Sequence, residues 1–289
     1  MGRKKIQQDE TLKLNNRTYL QYYNRIMEIA LSMFEWKNVP DTVDTRFLEL
    51  SLFTDGQAIF FKDDVIGYLG LQCMIGGNLN VYRVPIDRTA YATNGYQQRL
   101  TDKDSVIIWN NMIRTNSMLD VEMYARRLYE IQRAIDVNVK SQKTPIMILC
   151  DEAQRLTLKN LYMQYDGNEP FIFGDKLLNM KDIKAINTQA PFVSDKLTAL
   201  KEQIWNECMS SLGVTNSSNE KKERLVTDEV TMSTGSTIAM RQTRLSMRQT
   251  ACEQINEMFG LNISVDYRQE YKQLEKDFDS ELEEVENNG

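Results

Sequence analysis

The chain has 289 residues, is 42% hydrophobic and 26% charged, and carries a formal net charge of −6 at pH 7. That length suits one large domain or two smaller ones, and that composition excludes bulk disorder and fibrous structure. Histidine is absent and four cysteines lie far apart (Cys73, Cys150, Cys208, Cys252), which removes His-based triads and the usual zinc sites and reads as buried thiols in a reducing compartment.

The N-terminal "MGRKKIQQDE" lacks the apolar core of a secretory signal, and Ile6 stands where myristoylation wants Ser or Thr. Its basic residues, Arg3, Lys4 and Lys5, have too little apolar company to fold alone, so residues 1–17 are expected to be a disordered arm. From Thr18 to Trp36 apolar residues recur at three- and four-residue steps, which predicts a helix ended by "NVPD". A short helix follows over 46–53, capped by Asp44 or Thr45. The runs "QAIFFK", "LNVYRV", "RTAYAT" and "SVIIWN" then read as strands separated by Gly, Asn and Asp.

Residues 117–142 carry the strongest helical pattern, with Val121, Tyr124, Leu128, Ile131, Ile135 and Val139 on one face and Ser117 as the cap. The period then breaks over 143–189. That segment contains strand-like "TPIMILC", helix-like "LTLKNLYMQY", a turn "DGNEP", and strand-like "FIFG" and "IKAINTQ". Pro191 opens a further helix to Leu212, with Val193, Leu197, Leu200, Ile204, Cys208 and Leu212 on one face and Gly213 as its stop. Residues 214–240 are polar and are expected to form a long loop. A helix over 241–259, a stop at Gly260 and a strand in "LNISVDYR" complete the ordered pattern.

Charge is unevenly placed. Residues 269–289 hold eight acids and two bases, the whole net charge, and leave 33 acids and 33 bases for the rest. A low isoelectric point confined to a tail does not exclude a nucleic-acid partner.

No apolar run approaches the roughly 20 residues of a membrane span. The strand "PIMIL" followed by Asp151 and Glu152 resembles the acidic element of an ATPase. Such an enzyme also needs G-x-x-x-x-G-K-[ST], whose backbone N–H groups wrap phosphate, and the chain lacks it. The pair therefore reads as a polar turn. No catalytic constellation, cofactor site or metal site is expected.

The order of these parts resembles the upper collar protein (the portal, or head–tail connector) of small short-tailed phages that prime DNA replication with a protein. The residues carrying the resemblance are "MFEWKNVPDTVDTRFLE" (33–49), "QKTPIMI" (142–148), "LTLKNLYMQYDGNEPFIF" (156–173), "APFVSDKLTALKEQIWNECMSSLGV" (190–214), "EKKERLVTDEV" (220–230) and "ACEQINEMFGLNISV" (251–265). It implies a mainly α fold with small α+β parts. Residues 1–17 are then an arm, 18–115 and 241–268 a wing, 116–142 and 190–213 stem helices, 143–189 a clip, 214–240 a channel loop and 269–289 an acidic tail.

The resemblance further implies a dodecameric ring at one capsid vertex, assembled in the host cytoplasm and carried in the virion. Its channel passes double-stranded DNA without reading its sequence. Implied partners are the major capsid and scaffolding proteins, a separate packaging ATPase with or without a packaging RNA, and a lower collar or tail protein. Lys221, Lys222 and Arg224 become the foremost channel residues, with Lys196 and Lys201 behind them; Arg3, Lys4 and Lys5 become an arm for capsid or nucleic acid. Tyr162, Tyr165, Phe171 and Phe173 are aromatic residues of the clip available for subunit contacts. Two rival readings are a ring ATPase using Asp151 and Glu152, and a monomeric structural adaptor.

Overall fold

The computed structural model describes residues 2–141, 146–148, 183–185, 191–215 and 227–268. It divides into two compact units, Met1–Tyr129 with Glu202–Gly289, and Glu130–Lys201. The division falls inside two helices, so each is shared between the units.

In the larger unit, helix α1 spans Gly2–Ser32. The arm expected to be disordered is thus the first half of a helix. No proline or glycine interrupts the chain between Gly2 and Pro40, so a helix anchored by the packed segment beyond Thr18 can propagate back toward the start. The helix also stops earlier than expected. Strand β1 (Phe34–Lys37) leaves it to pair antiparallel with β9 (Ser264–Tyr267), setting Phe34 opposite Tyr267 and Trp36 opposite Val265.

Helix α2 (Thr45–Asp55) starts as its sequence predicts. The Asp44 carboxylate accepts a hydrogen bond from the Phe47 N–H at 3.1 Å, satisfying a donor that the first turn leaves unpaired. Gly56 ends the helix at φ 80°. A Cβ there would lie 2.7 Å from the Thr115 carbonyl carbon, so both the left-handed backbone and the close approach call for glycine.

Five strands follow: β2 (Gln57–Asp63), β3 (Gly67–Ile75), β4 (Asp87–Tyr91), β5 (Gln97–Thr101) and β6 (Ser105–Trp109), in the sheet order β5-β4-β3-β2-β6. The nine-residue β3 pairs with β2 through its first half and with β4 through its second. β5 and β6 stand at opposite ends of the order yet only three residues apart in sequence. The sheet therefore curls, and Arg88 on β4 ties the curl by donating to the Ser105 carbonyl on β6. Alternation along β2 serves two cores. Ile59 and Phe61 pack with Cys73, Ala90 and Leu100 inside the curl, whereas Ala58 and Phe60 face the main core with Val106 and Ile108. Leu52, Ile26, Leu128, Leu212 and Ile255 complete that main core.

One strand expectation misses, and two strands were not expected. "LNVYRV" is a turn, because the Asn80 Oδ1 accepts from the N–H groups of Tyr82 and Val84 and folds the segment on itself. β3 and β5 were not anticipated; the glycines of "GYLGLQC" and the polar "QQRLT" masked them.

Helix α3 (Met118–Ser141) matches its predicted range. Ser117 does not cap it through its side chain, because its hydroxyl oxygen accepts from Asn110 and Arg244 instead. Helix α4 (Ser194–Leu212) begins three residues after Pro191. Leu200, expected on its buried face, is exposed. At the other end Val214 N–H bonds Met209 O, Gly213 N–H bonds Ser210 O, and Gly213 adopts φ 89°, a paired closure that satisfies the last carbonyls.

Helix α5 (Thr227–Phe259) begins 14 residues before the expected Arg241, so residues 227–240 of the anticipated loop are helical. Its stop at Gly260 is as predicted, with Gly260 N–H on Asn256 O. In the smaller unit, β7 (Ile146–Ile148) pairs antiparallel with β8 (Ile183–Ala185), which agrees with the strand-like reading of both runs. Asp151, Glu152, Cys150, Tyr162, Tyr165, Phe171, Phe173 and the acidic tail lie outside the described residues.

Candidate functional site on the helices

Three arginines sit at helical spacing on α5, and each holds it to a different element. Arg241 lays its guanidinium over the Tyr267 ring on β9, 4.1 Å from the centroid. One turn on, Arg244 donates to the Ser117 hydroxyl at the start of α3. One further turn on, Arg248 reaches α2 and grips Glu49 with two parallel bonds, Nε to Oε1 at 2.8 Å and Nη2 to Oε2 at 2.7 Å.

The Arg248–Glu49 pair is 2% and 4% exposed. Burying two charges is tolerable only where their remaining hydrogen-bonding capacity is met. Here Trp36 Nε1–H donates to Glu49 Oε1 at 2.8 Å, while Arg248 Nη1 donates to the carbonyls of Asn110 and Arg244, each at 3.1 Å. The Phe34 ring covers the guanidinium at 4.3 Å. Burial, and then the neighbouring Arg248 charge, push the Arg244 pKa down to about 10. The group stays charged at neutral pH, and the three arginines with Glu49 carry two more cations than anions.

This cluster escaped the sequence reading, although Arg241, Arg244 and Arg248 share the stripe that also contains Leu245, Cys252 and Ile255. Arginine repeating at three- and four-residue steps inside an apolar stripe is the signal that finds it. Gly213 adds a steric contact: a Cβ there would meet the Arg241 backbone at 2.6 Å, so α4 ends directly on α5.

The sequence-predicted residues do not converge on one described site. Lys196 and Lys201 both lie on α4, five positions apart, and therefore project about 140° apart around the helix. Lys196 is exposed, whereas Lys201 is half-buried and donates from Nζ to Gln132 Oε1 on α3 at 3.2 Å. Lys201 is thus engaged in packing. The N-terminal end of α4 is held similarly: Asn138 Oδ1 accepts from the Val193 N–H and the Ser194 hydroxyl, and its amide donates to the Pro191 carbonyl. Arg3, Lys4 and Lys5 fall in the first turn of α1. Lys221, Lys222 and Arg224 lie outside the described residues.

Among the described residues no group of His, Cys, Asp or Glu is arranged to hold a metal ion, and no helix is long and apolar enough to cross a membrane. Cys73, Cys208 and Cys252 are free thiols in the core, with pKa values pushed up by burial to about 11, 12 and 12. A thiol so displaced is a poor nucleophile at neutral pH.

The family model described as Phage Connector (GP10) matches residues 3–272. Among solved structures, the portal and tail of native bacteriophage P68 superposes with a TM-score of 0.50 at 17% identity, covering 92% of this chain and 90% of that one. A HK97-family phage portal protein from Corynebacterium diphtheriae matches with a TM-score of 0.44 at 9% identity, over 87% and 91% of the two chains.

Proposed function

This chain belongs to the phage connector family, a portal component of the head–tail vertex of a virion, and from that premise we propose that it forms a closed homo-oligomeric ring through which double-stranded DNA is packaged and ejected. The observation that carries the reading is the extent of the family match, nearly the whole chain, joined to a portal-type fold over nine-tenths of its length. A cyclic assembly of head-to-tail contacts gives the ring, dodecameric by the resemblance.

Within that reading α3 and α4 are the stem, 143–189 is the clip that faces the packaging motor and later the tail, and α1–β6 with most of α5 and β9 is the wing. The channel loop shrinks to the residues between α4 and α5. Lys221, Lys222 and Arg224 fall there, among Glu220 and Glu223, and Asp228 and Glu229 follow in the first turn of α5. Mixed charge suits a surface that DNA must slide past, because a ring of cations alone would hold the phosphates too firmly. The protein acts without catalysis in this account. A separate ATPase supplies the work, consistent with the missing phosphate loop, and major capsid, scaffolding and tail proteins are the further partners.

The test is binding of the purified protein to double-stranded fragments of unrelated sequence across a salt series. Affinity falls log-linearly with salt, about 0.9 log unit per log unit for each phosphate neutralised, and is the same for every sequence. Sequence-selective binding, or ATP hydrolysis by the pure protein, contradicts the proposal.

A further inference from the structure

The curled sheet of the larger unit presents two unlike apolar surfaces. The β2–β3 hairpin puts Val65, 93% exposed, and Ile66 at its tip. Hairpin tips are normally polar. This one is rigid: Asp63 Oδ1 accepts from the N–H groups of both Val65 and Ile66 at 2.9 Å, and Asp63 Oδ2 accepts from the Tyr96 hydroxyl at 2.6 Å. The tip is anionic, with Asp63 and exposed Asp64 beside it. The Tyr96 bond holds the Asp63 pKa below the usual carboxylate range.

The second surface is built from two loops. Val81 (91% exposed) and Tyr82 (80%) come from the β3–β4 connection, Met112 and Ile113 (77%) from the β6–α3 connection. Arg114 joins the loops by donating from Nη1 to the Arg83 carbonyl at 3.1 Å, and stacks 4.5 Å over the Trp109 ring. Arg83 and Arg114 both adopt φ 59°, a backbone conformation that disfavours arginine and clusters where structure serves function. This shelf is cationic. Beside it opens a groove of about 760 Å³ between β6 and α5, with Val84, Trp109, Met112 and Met247 in its lining.

We infer that the anionic Val65–Ile66 tip of one copy docks on the cationic shelf of the next, with Asp64 facing Arg83 and away from the groove, whose lining also holds Asp102 and Glu257. The occupant is a second copy of this chain because knob and shelf are complementary in both apolar character and charge, and both are pre-formed, which lowers the cost of association. Two different patches on one molecule make a heterologous contact, the kind that closes rings, whereas a single self-complementary patch makes a two-fold dimer. The inference deepens the ring reading above and rests on it.

The experiment measures mass in solution by sedimentation velocity for the full chain and five variants. The paired changes Val65→Asp with Ile66→Asp, and Met112→Asp with Ile113→Asp, touch exposed side chains. Each should keep the parent melting temperature and lose rings. Mixed together, the two variants should form heterodimers and nothing larger, because one intact knob and one intact shelf remain. Asp64→Arg and Arg83→Asp should each weaken association about tenfold or more, and the combined D64R/R83D chain should recover it. Rings from either paired variant, a mixture that stays monomeric, or no recovery in the charge swap overturns the contact while leaving the ring reading intact. A monomeric parent overturns both.

Discussion

Removing one partner of the buried Arg248–Glu49 pair should cost far more than removing both. Arg248→Met deletes two charge-assisted bonds to Glu49 and leaves its carboxylate 4% exposed, with Trp36 Nε1 as the remaining hydrogen-bond donor. It also removes the side-chain donor to the Asn110 and Arg244 carbonyls. Breaking a buried pair in this way costs about 3–5 kcal/mol. At a urea m-value of about 3 kcal/mol/M for a chain of this size, the midpoint should fall by about 1–1.7 M. Glu49→Leu alone strands the guanidinium and should cost a similar amount. The double variant Glu49→Leu/Arg248→Met removes both charges from the core. It should lose less than either single variant, a departure from additivity of more than about 3 kcal/mol. The assay is urea unfolding at fixed protein concentration, followed by tryptophan fluorescence and far-UV circular dichroism. A loss below about 1 kcal/mol for Arg248→Met, or strict additivity in the double variant, refutes the claim that this pair fastens α5 to α2.

Gly213→Ala should lower the melting temperature by several degrees, since it combines a φ of 89° with a Cβ 2.6 Å from the Arg241 backbone; a melt unchanged within a degree contradicts the crossing described here. The three core thiols have folded pKa values of about 11 to 12, above the unfolded range, so their contribution is complete below about pH 8.5 and is lost as pH rises toward 12. Stability should therefore decline above about pH 9, and Ellman's reagent at pH 8 should label these thiols in urea but not in the folded protein. Tyr96→Phe should raise the Asp63 pKa, read by carboxyl-resolved NMR, because the side-chain bond that depresses it is gone. Changing Lys221, Lys222 and Arg224 together to Ala should leave ring assembly intact while filled heads lose DNA on purification. Stable full heads in that variant would remove the gripping role.

The helices that bury a stripe were readable from spacing alone. α2 announced itself through Asp44, and α3 through Val121, Tyr124 and Leu128. Those patterns are local, and so are the forces behind them. α5 was foreseen only from Arg241 because "TDEVTMSTGSTIAM" is rich in Thr, Ser and Gly, which favour other conformations when read in isolation. The strands of the curled sheet divided along the same line. "QAIFFK" and "SVIIW" carry enough β-branched and aromatic residues to stand out, whereas β3 and β5 owe their state to neighbours across the sheet. Glu49 and Arg248 are 199 positions apart, and no local pattern could join them. The candidate channel cations were chosen by charge, and charge alone did not show that Lys201 is occupied by Gln132. The two apolar surfaces of the curled sheet were equally hidden, since a pair such as Val65–Ile66 in a turn looks like core until the fold shows it exposed.

The central claim is a ring that encloses a channel, and electron microscopy of the purified full-length protein, class-averaged along the particle axis, tests it most directly. The account predicts closed rings with a stain-filled central hole wide enough for a duplex, about 20 Å or more across, and a single dominant rotational symmetry. Compact particles of one or two chains without a hole, at concentrations where the protein is folded, would contradict it.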